Sequence, residues 1–245
     1  MSTTDKTTAE ILASRRDGTE SISPTATVGP GVTLAGHPQI RDNAKVMNMA
    51  RITNAARVIE SGRVNDQATV TDHGMVYGSA SLYGWSIVSG AEVGGNAYLG
   101  DAAYLRDNAV VHTGNFDLTA DVAGAKDWLT MGPIGSENRT VTFYRAYEPT
   151  TQSWVGIIAA GCFRGTTQRL ETRLDEKNGW SKYSYSEEVI ARYDADYRAF
   201  IEMCKAREAR WAPIGQSDID WWVERLSDPD RAYMVTRLAD YTLPR

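Results

Sequence analysis

Three histidines, His37, His73 and His112, are the residues of this chain best suited to act as a general base or to hold a metal. No two of them are close in sequence, so the tight histidine pair of a typical zinc site is absent. Two cysteines, Cys162 and Cys204, stand far apart and read as reduced thiols, not as a disulfide framework. Carboxylates recur at Asp42, Asp66, Asp72, Asp101 and Asp107, in pieces such as RDNA, VNDQA and LGDAA. Recurrence at one step marks corner residues, because Asp tolerates unusual backbone angles and bonds nearby amides. The run GPIGS offers glycines but no lysine and precedes a strand, so it reads as a turn and not as a phosphate cradle. The densest chemistry lies in the C-terminal half, where Arg139, Arg145 and Arg164 accompany Trp211, Trp221 and Trp222. Guanidinium groups beside flat rings suit a planar or phosphorylated anion. These six are the expected ligand-binding residues, and no catalytic residue, metal or cofactor is expected.

The elements that must position these groups begin with a repeat of six. Branched aliphatics stand at Val28, Leu34, Ile40, Val46, Ile52, Val58, Val64, Val70, Val76, Leu82 and Val88. After one residue drops out, the series resumes at Val93, Leu99, Leu105 and Val111. Two residues before most of them is a small one, such as Ala44, Ala50, Gly62, Ala68 or Ala103. A helix would space apolar residues by 3.6 and an ordinary strand by 2, so neither fits. A solenoid of short strands and sharp turns does, with the aliphatic filling the interior and the small residue easing each corner.

The pattern resembles the hexapeptide repeat of left-handed parallel β-helix proteins, whose triangular coils use three hexads per turn. The resemblance implies about five coils with strands of successive coils pairing in parallel at about 4.8 Å. Proteins of that class are usually trimers packed side by side. Taking every third hexad as one side, the side carrying Met47, Met49, Tyr83 and Trp85 is unusually apolar for a surface, which makes these four the expected trimer interface. On a second side His37 and His73 share a column two coils apart, about 10 Å by the same spacing, too far for one metal. His112 falls on the third side. The resembled acyltransferases use a histidine base, and the γ-class carbonic anhydrases share three histidines across a subunit boundary. Here the three histidines are secondary candidates only.

A net charge of −5 over 245 residues gives no basic face for nucleic acid. The start MSTTDKTTAE lacks the apolar run of a signal peptide, and no apolar stretch is long enough to span a membrane. A soluble protein of the cytoplasm of a bacterial host is expected. Residues 1–25 read as an arm or cap with a short helix near 8–16, residues 26–125 as the β-helix, and residues 126–245 as an α+β domain with a helical tail. In that domain Val141, Phe143 and Tyr147 alternate as a strand, EPTTQ turns, and Trp154 to Phe163 returns. Ser184 to Trp211 reads as a helix with a Ser184/Glu187 capping box, followed by helices over 217–226 and from Asp228 to about Tyr241.

The runs LTMGPIGSENRTVTFYR and GCFRGT resemble a small C-terminal domain that follows such repeats in proteins of tailed phages and prophages. The resemblance implies a phage context. Together these readings point to a non-catalytic, homotrimeric binding protein that captures a host molecule, a small nucleotide signal or a host protein, in the manner of counter-defence. Its binding site is expected where the C-terminal domain meets the β-helix. A hexapeptide-repeat acyltransferase and a virion or tail-associated part are the alternatives.

Overall fold

The computed structural model describes residues 22–135, 139–176 and 186–242. The chain divides into two compact units, Met1–Ala125 and Lys126–Arg245.

The first unit is a parallel β-solenoid of about five coils. Its strands stack into three sheets of six, six and five. One sheet runs through Val28, Val46, Val64, Leu82, Leu99 and Phe116, each aligned with the next. The aliphatics from Ile40 to Val111 in the series are fully buried, one per side of each coil. Ala44, Ala50, Ala68 and Ala103 beside them are fully buried as well. A larger side chain there would collide with the close-packed interior. The dropped residue after Val88 shortens one corner without losing pairing, so Glu92 aligns with Met75 and Val93 with Val76.

The coil runs further than the aliphatic series implies at both ends. Phe116 pairs beside Leu99 and Val122 beside Leu105, and both are buried. Ile22 bridges to Ile40 and is 3% exposed, so residues 22–25, read as part of an arm, lie against the first coil. The expected helix near 8–16 lies outside the described residues.

The corners explain the recurring acids. Asp42, Asn48, Asn54, Glu60, Asp66, Asp72, Asp101 and Asp107 all have positive φ, near 50–61°. Apart from Asp107, whose carboxylate faces Arg106 of its own corner, their side chains tie each coil to the next. Asp42 Oδ2 accepts from the Glu60 amide at 3.0 Å, Glu60 Oε2 from the Gly78 amide at 2.8 Å, and Asp66 Oδ2 from the Gly84 amide at 3.1 Å. These carboxylates are structural ladders.

The second unit holds a four-stranded antiparallel sheet of β1 (Trp128–Ile134), β2 (Arg139–Glu148), β3 (Ser153–Ala160) and β4 (Phe163–Gly165) in sequence order. The helices are α1 (Thr167–Asp175), α2 (Glu187–Glu208), α3 (Gln216–Leu226) and α4 (Ala232–Thr242). Val141, Phe143 and Ile158 of the sheet pack with Leu170 and Leu174 of α1 and with Phe200, Ile201 and Cys204 of α2. The cap of α2 is Ser186, whose Oγ accepts from the Val189 amide at 3.4 Å. Ser184 of the expected capping box lies outside the described residues.

Candidate ligand-binding site

The three histidines are all exposed and stand apart. His37 and His73 occupy one column of the solenoid with Ala55 between them, following the register of Leu34, Ile52 and Val70. His112 Nδ1 lies 3.0 Å from the Tyr77 hydroxyl two coils back. The Tyr77 ring crosses Gly94, where a Cβ would fall 2.3 Å from the ring, so glycine makes that reach possible. Burial, with Glu92 and Glu60 nearby, raises the Tyr77 pKa, which keeps its hydroxyl protonated. Among the described residues no group of three His, Cys, Asp or Glu gathers closely enough to hold a metal ion.

The apolar strip lies along one sheet. Met47 is half-buried, with its sulfur resting where Gly29 leaves room, and Met49 is 59% exposed. Tyr83 stacks on Tyr98 with centroids 5.5 Å apart, and Trp85 is half-buried at the next corner.

The arginines and tryptophans of the second unit part company. Arg145 is buried, with its guanidinium 2.9 Å from the Asp127 carboxylate and 4.3 Å from the centroid of Trp154. Trp222 is fully buried, stacks on Tyr147 at 5.6 Å and meets Trp221 edge-on at 4.9 Å. Arg225 covers both indoles. Trp211 belongs to a different cluster, stacked on Phe143 at 5.6 Å, and its indole N–H donates to the Lys126 carbonyl at 3.1 Å. Trp211 and Trp222 thus stack on rings of the sheet, while Trp221 meets Trp222 and Arg225 of its own helix. The Arg139 backbone pairs with Ile134 in the sheet, and its side chain lies outside the described residues.

Of the six, Arg164 lines a pocket. That pocket, about 290 Å³, lies between β4, α1 and the end of α4. Arg164, Arg169 and Arg173 line it together with Phe163, Tyr241 and Glu176. Thr166 caps α1, its Oγ1 accepting from the Arg169 amide at 3.2 Å. Leu170 and Leu174 turn inward to the core, which forces Arg169 and Arg173 onto the open face. Each guanidinium is held. Arg164 Nη1 donates to the Gly161 and Phe163 carbonyls at 3.0 and 2.9 Å, and Arg169 Nη1 donates to the Asp240 carbonyl. Arg169 lies over the Tyr241 ring at 5.9 Å and Arg173 over the Phe163 ring at 5.7 Å. Among the described residues neither Arg169 nor Arg173 makes an ion pair. Positive charge without a carboxylate partner, fixed against rings, is an anion-binding arrangement.

Arg169, Arg173, Phe163, Tyr241 and Glu176 were not among the residues expected from the sequence. A signal existed in TTQRLETRL, where a threonine cap, Leu170/Leu174 and Arg169/Arg173 spell a short amphipathic helix with both arginines on one face.

No protein-family model matches the chain, and neither a curated protein nor a solved structure shows significant similarity to it.

Proposed function

We propose that the chain is a non-catalytic binding protein of the phage or prophage type, a trimer through its β-helix, that captures a small, flat, nucleotide-like anion of the bacterial host. The observation that supports this most is the pocket of the second unit, where three guanidinium groups converge with two aromatic rings. Arginine forks recognise phosphate or carboxylate oxygens in pairs, and ring faces accept a planar group. The pocket takes the place of the wider set around Arg139, Arg145 and the tryptophans, because Arg145 and Trp222 are withdrawn from solvent. The solenoid supplies a rigid scaffold, and its strip of Met47, Met49, Tyr83 and Trp85 supports self-association.

The test is mass spectrometry of small molecules released by heat from the purified protein, followed by calorimetric titration of the stripped protein with what is found. Arg164→Ala, Arg169→Ala and Arg173→Ala should each weaken binding about tenfold, or ~1.4 kcal/mol. Three folded variants that bind as the parent does would end this reading.

A further inference from the structure

The pocket has a direction. Thr166, Arg169, Arg173 and Glu176 follow one another along a single face of α1 at steps of three and four. At 1.5 Å per residue, Arg169 and Glu176 are separated by about 10 Å along the helix. One end gathers Arg169 and, from β4, Arg164, beside the positive end of the helix dipole, and Arg173 lies between the two ends. Thr166 Oγ1 accepts from the Arg169 amide, so its own O–H remains free to donate into the pocket. At the other end stands Glu176, exposed, at the C-cap of the same helix and in no ion pair among the described residues. Phe163 and Tyr241 lie on the walls. A complementary ligand therefore carries an anion at one end, a flat ring, and a hydrogen-bond donor at the far end.

We infer that the pocket takes a nucleoside 5′-monophosphate whose base bears an exocyclic amino group, with phosphate at Arg164 and Arg169 and the amino group donating to Glu176. The inference rests on the reading of this pocket as a binding site. Phosphate oxygens match the two guanidinium forks and the threonine hydroxyl. A carboxylate accepting from a base amino group is a standard pairing, and base–ring stacking adds favourable contact. The competitors each fail at one end. A uracil base presents a carbonyl to Glu176, acceptor against acceptor. A dicarboxylate or a cyclic dinucleotide places a second anion there. The volume of about 290 Å³ is also at the lower bound for ligand pockets, which suits one nucleotide and not two.

Calorimetric titration of the full chain with AMP, CMP, UMP, adenosine and inorganic phosphate tests this, using the parent, Arg169→Ala and Glu176→Gln. AMP and CMP should bind at least tenfold more tightly than UMP, and adenosine at least tenfold more weakly than AMP. Glu176→Gln should collapse the AMP-over-UMP preference, because an amide can also donate to the uracil carbonyl, while Arg169→Ala should weaken every phosphate-bearing probe alike. Equal affinity for AMP and UMP, or a preference untouched by Glu176→Gln, overturns the inference. If no monophosphate binds but another small anion does, and Arg169→Ala weakens it, the inference falls and the binding-site reading stands. If no anion responds to Arg169→Ala or Arg173→Ala, both fall.

Discussion

The Arg145 guanidinium stands 2.9 Å from the Asp127 carboxylate, and the two side chains are 7% and 0% exposed. Charges withdrawn this far from water must be matched, since each would otherwise retain a desolvation cost of several kcal/mol. The guanidinium also lies over the Trp154 ring, 4.3 Å from its centroid. Tyr147 joins Trp154 to Trp222, and Trp222 joins Trp221 and Arg225, so the ion pair anchors a continuous stack between β2, β3 and α3.

Arg145→Ala should therefore cost stability heavily, about 3–5 kcal/mol, because it removes the guanidinium that faces the buried Asp127 carboxylate. Urea unfolding followed by tryptophan fluorescence measures it. A variant with an unchanged midpoint would show that water reaches Asp127 in the native protein.

In the solenoid, Val64 and Arg63 are neighbours with opposite fates, the first fully buried and the second exposed. Val64→Asp places a carboxylate where no donor waits, and the parallel ladder on either side passes through that residue. Loss of the β-sheet signal in circular dichroism, or insoluble expression, is the expected result. Arg63→Asp should leave the spectrum intact. Equal tolerance of the two changes would mean that the interior is not close-packed.

The contrast between these two residues shows why the solenoid was legible in the sequence and the pocket was not. A prism with one inward side chain per side imposes a strict spacing, and Val46, Val64 and Leu82 announce it without help from the rest of the chain. The period becomes hard to follow only where Phe116 replaces an aliphatic and a residue drops out after Val111. The pocket instead depends on Tyr241 reaching residues near 164–173, a contact that no local spacing encodes. Arg145 carried a partial sign. It falls in the same phase as Val141, Phe143 and Tyr147 along the strand, and a cation in an apolar phase calls for a buried partner. Arg164 carried no such mark, yet it lines the cavity.

Burial pushes the Glu208 carboxyl above its ordinary pKa, while the Gly156 amide, donating to Oε1 at 3.0 Å, pulls the other way. Because the folded value is raised, the folded state holds this proton more tightly than the unfolded chain does. The associated stability is present at low pH and is lost as pH rises through the folded value. Glu208→Gln keeps an acceptor for Gly156 and removes the charge. Its melting temperature should exceed the parent's at neutral pH, and the gap should close by about pH 4, near the ordinary glutamate value. A gap that does not change with pH would assign the effect to packing.

The last prediction concerns the exposed strip of the solenoid. Met49 at 59% and Tyr98 at 39% exposure lie along the sheet that also presents Met47 and Tyr83, with Trp85 at its corner. Covering such a strip gains about 25 cal/mol for each Å² of apolar surface removed from water. Lys45 and Arg63, direct neighbours on the same sheet, stand one pleat over from Met47 and Tyr83. They would form the charged rim of a contact whose centre is apolar, the usual arrangement at protein interfaces. Light scattering should return three times the 27.0 kDa chain mass. Met49→Lys combined with Tyr83→Lys adds cations beside two already present and should shift the species to 27.0 kDa, with the β-sheet signal of circular dichroism unchanged because neither side chain enters the core. A parent protein that scatters as a 27.0 kDa species at micromolar concentration would leave the strip without this role.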